Sequence, residues 1–168
     1  MDIETIKPHG FCGGVANAIE KAMSLLDGRT IYCLHELVHN EIVIDDFEKR
    51  GVIFVESLDE VPFGATVVFS AHGVSPAVRA EAGKRDLRII DTTCPFVARV
   101  HRAAKEFSAR GLPVVVIGKS NHAEVKGILG EIEGDAYIYP DIPKDSKKIG
   151  VVSQTTMNAD EVKCIVDE

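Results

Sequence analysis

Short β-branched runs recur along this chain, and nearly every one is set apart from the next by a segment with helical spacing. Thr30 to Leu34, Val52 to Val55, Thr66 to Ser70, Arg88 to Asp91, Pro113 to Ile117, Ala136 to Tyr139 and Lys148 to Val152 read as strands. Met1 to Lys7 is a further expected strand, from its alternation. Val15 to Leu26, Glu41 to Arg50, Pro76 to about Arg85, Phe96 to Ala109, a segment opening near Ala123, and Asn158 to Glu168 read as helices. Parallel strands need a long crossover, usually a helix, so this order implies parallel sheets and an α/β fold. Thr66–Asp91 and Pro113–Tyr139 share one grammar: strand, histidine-bearing loop, helix, strand. That likeness predicts two pseudo-repeated small domains, each a short, mostly parallel sheet flanked by helices. The expected division is 1–94 and 95–168, with the two meeting near Cys94.

The chain has 168 residues, 45% of them hydrophobic, enough to bury a core. A formal net charge of −7 argues against general nucleic-acid binding and against a polybasic membrane anchor. No apolar run approaches a membrane span, and the acidic start Met1-Asp2-Ile3-Glu4 lacks a signal-peptide pattern. A cytoplasmic protein is expected. There, cysteines serve as ligands, nucleophiles or small buried residues more often than as disulfides.

The polar residues gather in loops that follow strands. Asp91-Thr92-Thr93-Cys94-Pro95 joins a strand to a helix. Thr92 or Thr93 is expected to cap that helix, and Pro95 suits its first position. Amides at a helix start favour an anion, so Cys94 is placed to be a thiolate. Cys12 sits in a matching turn, Gly10-Phe11-Cys12-Gly13-Gly14, whose glycines let the backbone come close to something bound. His35 to Asn40, His72, His122 with Glu124, and Thr155 lie in the other strand-end loops. In open α/β sheets ligands bind off the carboxyl ends of the strands, so these residues are expected to converge on one cleft.

A thiolate in such a turn is a nucleophile or a metal ligand. Paired cysteine turns and three histidines favour a ligand over a Cys–His nucleophile. His39, His72 and His122 suggest a site for an anion or a metal. Cys33 is expected in the core, Cys164 exposed on the last helix, and His9 and His101 at the surface. His35 is expected to satisfy a backbone group. His35-Glu36-Leu37-Val38-His39 matches the zinc-peptidase pattern, but that pattern needs both histidines on one helical face. Here it follows a β-rich run directly.

Six ordered stretches resemble one family. They are Gly10 to Val15, His35 to Asn40, Phe69 to Val74, Thr93-Cys94-Pro95, Asn121 to Gly127 and Gln154-Thr155-Thr156. The family is the LytB-type 4-hydroxy-3-methylbut-2-enyl diphosphate reductases of the non-mevalonate isoprenoid pathway. The resemblance implies reductive dehydroxylation of that allylic diphosphate to isopentenyl and dimethylallyl diphosphate. It implies an oxygen-sensitive [4Fe-4S] cluster held by three cysteines, one from each of three α/β domains, and fed by ferredoxin or flavodoxin. By motif, Cys12 and Cys94 match two cluster ligands. His39, His72 and His122 match the diphosphate-binding histidines. Glu124 matches the proton-donating acid, and Thr155 the hydroxyl near the reacting end.

The third cluster cysteine is absent from the pattern. Cys164 falls inside the helix that follows Thr155, on its exposed side, and is not assigned as a ligand. The chain is therefore expected to be the first two domains of the reductase, ending in the helix toward a third, and to be inactive alone. A non-catalytic or split-enzyme module needing a second chain, and the zinc peptidase, are the alternatives.

Overall fold

The computed structural model describes residues 4, 10–26, 28 and 30–167. The expected strand over Met1 to Lys7 lies, apart from Glu4, outside the described residues, as does His9. The elements run α1 (Gly13–Met23), β1 (Ile31–Leu34), α2 (Glu41–Lys49), β2 (Val52–Val55), β3 (Thr66–Phe69), α3 (Pro76–Lys84), β4 (Arg88–Asp91), α4 (Pro95–Ala109), β5 (Val114–Ile117), α5 (Ala123–Leu129), β6 (Ala136–Ile138), β7 (Gly150–Ser153) and α6 (Ala159–Asp167). The expected elements over the described residues are all present, with ends shifted by at most three residues. A short 3-10 helix, Leu58–Glu60, was not anticipated; Ser57 and Glu60 close it with a reciprocal capping box.

The strands form two sheets, a four-stranded one in the order β2-β1-β3-β4 and a three-stranded one in the order β6-β5-β7. Every strand pair is parallel. The strands are four residues long or fewer, and their side chains alternate between two covered faces. In the first sheet Cys33 and Val68 pack with Ala18 and Ala22 of α1 and Phe47 of α2. Val67 and Phe69 point the other way, against Ala82 of α3 and Leu58 of the 3-10 helix. In the second sheet Val114, Val116 and Val152 pack with Ala104 of α4 and Val125 and Ile128 of α5.

Strand order decides where a ligand can sit. In the first sheet the chain goes from β1 outward to β2, then returns to lay β3 on the opposite side of β1. In the second it goes from β5 to β6, then lays β7 on the opposite side of β5. At such a reversal the two loops diverge to opposite faces and leave a crevice at the carboxyl end. The topological likeness therefore pairs β1-β2-β3 with β5-β6-β7. The sequence grammar pairs β3-β4 with β5-β6, which also holds strand by strand, since both are adjacent parallel pairs.

Helix α4 lies close on β7, and Gly150 makes this possible. A Cβ at Gly150 would stand 2.5 Å from the Phe107 ring. Gly150→Ala is expected to force these elements apart and destabilise the fold by about 1–3 kcal/mol. Urea unfolding checks this through a lowered midpoint.

Candidate active site

The crevice of the first sheet is built by the loops after β1 and β3. His35 leaves β1 with φ +61 and donates its backbone N–H to the Val55 carbonyl at 2.8 Å. Its ring Nδ1 meets Glu56 Oε2 at 2.9 Å, so its partner is a carboxylate, not the expected backbone group. Leu37 and Val38 are buried and anchor the loop. Asn40 caps α2, its Oδ1 accepting from Val43 N at 3.2 Å. Residues 35–39 thus precede the helix rather than lie on it, and His35 turns to Glu56 while His39 turns to two other histidines. The zinc-peptidase reading fails on that geometry.

His72 follows β3 and is only 8% exposed, with Nε2 unpartnered among the described residues. Burial, with His39, His122 and His35 nearby, pushes its pKa down to about 4. The next residue, Gly73, has φ +73, which turns the chain back toward α3.

The second crevice lies between the loops after β5 and β7. His122 caps α5: the Glu124 backbone N–H donates to its Nδ1 at 3.1 Å. Its Nε2 lies 2.9 Å from His39 Nε2, across the two sheets. One ring nitrogen from each of His39, His72 and His122 lies within 4.8 Å of the others. Burial, then His39 and Lys119, lower the pKa of His122.

Glu124 is 1% exposed. It accepts the Thr155 backbone N–H at 2.7 Å and the Thr155 hydroxyl at 3.1 Å. Burial raises its pKa, and the Thr155 hydrogen bonds and His101 only partly offset that. Gln154, noted in sequence only as part of a motif, is the tie between these loops. Its Oε1 accepts from Lys119 N at 3.1 Å, and its Nε2 donates to the Thr156 hydroxyl at 2.7 Å.

Cys12 and Cys94 occupy equivalent places, each the residue before a helix, α1 and α4. Neither side chain makes a capping hydrogen bond, so neither sulfur is spent on its own helix. The expected threonine caps are not formed. The Thr92 hydroxyl donates to the Phe69 carbonyl at 2.6 Å, and Thr93 donates to Asp91 instead. Pro95 does take the first helical position. The turn before Cys94 is held by Asp91, which Arg79 meets at 2.7 Å, while Lys21 Nζ donates to the Asp91 carbonyl at 2.6 Å. Burial would raise the Asp91 pKa, but the Thr93 and Arg79 hydrogen bonds hold it below the usual range. Gly14 brings the start of α1 against this turn: a Cβ there would lie 2.5 Å from Cys94 Sγ.

The loops converge. Cys12, Cys94, His39, His72, Glu124 and Thr155 all line one cavity of about 350 Å³, walled by apolar side chains such as Phe11, Val38 and Phe96. His122 opens instead onto an adjoining cleft of about 310 Å³, with His39 and His72 on the wall of both. Two uncommitted sulfurs at helix starts, a glycine leaving room beside one of them, and apolar walls fit part of a thiolate ligand set. Cys33 is buried in β1, its thiol pushed up to about 12 by burial, and Cys164 is exposed on α6. Neither is among the residues lining the cavity.

The family described as LytB protein matches residues 3–168. The chain belongs to the LytB family. It is 43% identical to a 4-hydroxy-3-methylbut-2-enyl diphosphate reductase of Acidithiobacillus ferrooxidans, over 99% of this chain and 56% of that protein. With the reductase of Azoarcus sp. it shares 44% identity over 98% of this chain and 56% of the relative. Among solved structures, the E-1-hydroxy-2-methyl-but-2-enyl-4-diphosphate reductase of Plasmodium falciparum matches with TM-score 0.88 and 38% identity, covering 96% of this chain and 54% of that one. A second, described as the terminal enzyme of the non-mevalonate pathway, matches with TM-score 0.79 and 32% identity. This LytB chain thus spans a little over half the length of the curated relatives it matches.

Helix α4 buries one histidine that the sequence places at the surface. His101 is expected at the surface but is 8% exposed on α4. Its Nδ1 meets Glu131 at 3.1 Å, and a Cβ at Gly73 or Gly127 would stand 3.1 Å from its Nε2. It is wedged between the His72 loop and α5. The signal was its place in the heptad-like apolar face Val97, His101, Ala104, which is the buried side of α4.

Two outcomes follow from these environments. His72 has its pKa lowered from 6.5 to about 4 on folding, so the unfolded chain binds a proton there that the folded chain refuses. Stability present at pH 7 is lost as pH falls through that window, by about 3 kcal/mol in full. Urea midpoints at pH 7 and pH 4.5 should show His72→Phe losing less than the wild type. Thr155→Val removes a hydrogen bond to the ionised Glu124, so the Glu124 pKa should rise further. A ¹³C-carboxyl NMR titration reads that shift.

Proposed function

We propose that this chain forms two α/β domains, 1–94 and 95–168, of a reductase of 4-hydroxy-3-methylbut-2-enyl diphosphate. It would supply much of the active site for removing the allylic hydroxyl in cytoplasmic isoprenoid synthesis. The observation that carries this reading is the single cavity on which Cys12, Cys94, His39, His72, Glu124 and Thr155 meet, drawn from loops of both sheets. The relatives are named as reductases of 4-hydroxy-3-methylbut-2-enyl diphosphate, which supports that diphosphate as the substrate.

Cys12 and Cys94 would hold a [4Fe-4S] cluster as two of its thiolate ligands. When bound, that cluster supplies the two electrons, delivered by a ferredoxin or flavodoxin, and a Lewis-acidic iron. The curated relatives are nearly twice as long, and a third thiolate from such added length would complete the set.

The remaining chemistry belongs to the side chains of this chain. His72 and His122, held neutral by their surroundings, present ring N–H donors to the diphosphate oxygens without requiring a basic protein. His39 joins them from the first sheet. Glu124, whose pKa burial raises, is the acid that would bring a proton into the cavity. That proton goes to the departing hydroxyl, which leaves as water. The second proton and the electron pair end on the hydrocarbon product. Thr155 orients Glu124 through its hydroxyl and backbone N–H, and its hydroxyl faces the reacting end of the substrate. The apolar wall from Phe11, Val38 and Phe96 accommodates the isoprenoid carbons and excludes water.

Titration of the chain with the allylic diphosphate tests the pocket. His122→Ala or His72→Ala should weaken binding by about tenfold to a hundredfold, the worth of a hydrogen bond to a charged group. Unchanged affinity in both variants would remove the diphosphate assignment. The chain reconstituted anaerobically with iron and sulfide, and given a viologen donor, should turn over at or near background. Turnover at the rate of a full-length relative would overturn the incomplete-site reading.

A further inference from the structure

His101 is a polar side chain on an otherwise apolar face. Its companions on the buried side of α4 are Val97 and Ala104. Its Nε2 is buried and has no hydrogen-bond partner among the described residues. A buried nitrogen left unpaired costs stability, so this imidazole calls for an explanation from what it touches. On one side Nδ1 meets Glu131 Oε1 at 3.1 Å, just past the end of α5. Glu131 is itself only 14% exposed, so the pair is held inside the protein rather than at its rim.

On its other side the ring touches two backbones that carry the site. A Cβ at Gly127 would stand 3.0 Å from His101 Cε1, and one at Gly73 would stand 3.1 Å from Nε2. Gly73 directly follows His72, and Gly127 lies one turn after Glu124 on α5, the helix that His122 caps. Thr93, the residue before Cys94, closes on Gly73 as well, 3.2 Å from such a Cβ. At the end of α5, Gly130 meets Ser75 so closely that a methyl group would overlap it. The His72 loop, the turn to Cys94 and α5 thus meet around one imidazole. Among the described residues the two sheets share no strand ladder, so loop and side-chain packing sets their spacing. That spacing matters at the anion site, where His39 and His72 come from one sheet and His122 from the other.

We propose that His101, anchored by Glu131, is a positioning residue of the anion site: its ring is the spacer that sets His72 against His122 and Glu124. The inference rests on the diphosphate reading above. The ring acts by its volume and by where Glu131 holds it, not by its charge. Its outer edge lines an open cleft of about 500 Å³, shared with Arg79, Arg102 and Glu131. Truncating the side chain therefore joins the gap to that cleft, and water enters between the His72 loop and α5. The loop is then free to move relative to the helix. Displacements of this kind, remote from the bound group, are costly because the donors must converge on it together.

Four variants test this. His101→Ala removes spacer and anchor, and His101→Phe keeps a ring and loses the anchor. Gly127→Ala presses on the ring from the helix without truncating it. Val52→Ala, in the core under β2 and lining neither cavity of the site, controls for lost stability alone. Circular dichroism verifies folding, and urea midpoints rank the variants. Calorimetry with inorganic pyrophosphate should show His101→Ala binding roughly tenfold to a hundredfold more weakly and Gly127→Ala weakened in the same sense. His101→Phe should stay within about threefold of the wild type, and Val52→Ala should match it. The His72 ring lies 4.6 Å from His39 and 5.1 Å from His122, so its ¹H shifts report its place among them. They should move in His101→Ala and Gly127→Ala and hold in Val52→Ala. Wild-type affinity and His72 shifts in both His101→Ala and Gly127→Ala overturn this inference alone. So does a loss in Val52→Ala equal to that in His101→Ala, and so does His101→Phe binding as weakly as His101→Ala. A wild type that does not bind pyrophosphate overturns the diphosphate reading and this inference with it.

Discussion

The histidine cluster, Glu124 and Thr155 depend on two reversals of strand order. Because all strands in each sheet run parallel, their carboxyl ends lie along one edge, and every loop after a strand leaves from that edge. At β1/β3 and at β5/β7 the connections then turn to opposite sides. His39 and His72 come from the first reversal, His122, Glu124 and Thr155 from the second. The hydrogen bond between His39 and His122 marks where the two crevices touch.

Close backbone approach is what turns two crevices into one cavity. Gly14 brings the start of α1 onto Cys94, and Gly73 and Gly127 admit the ring of His101 between the His72 loop and α5. In each case a single methyl group would occupy the contact. Such contacts transmit position, because close-packed groups cannot shift independently. His101, held at its outer nitrogen by Glu131, is the rod between the halves rather than a surface residue.

Burial opposes charge on three polar groups of the site. Burial lowers the proton affinity of His72 and His122 and raises that of Glu124, so each is driven toward its uncharged form. Neutral imidazoles can donate to an anion, and a neutral carboxyl can give a proton. Asp91 and Arg79, paired at 2.7 Å, sit behind Cys94 and brace its turn.

Much of this was legible in the residues. Period and composition located the strands and helices, because β-branched runs and amphipathic spacing are local properties. Strand-end loops identified Cys12, Cys94, His39, His72, His122, Glu124 and Thr155 as a group, since parallel sheets place such loops on one edge whatever their order in sequence. Hydrogen-bond partners were not legible. Thr92 and Thr93 have the chemistry of helix caps, yet their hydroxyls go to Phe69 and Asp91. His35 and His39 have the spacing of a zinc site, yet they turn to different partners. The sequence by itself determined the α/β class and the candidate side chains of the strand-end loops. Only the tertiary structure decided which of them meet, because strand order and the distances across it arise from contacts between residues far apart in the chain.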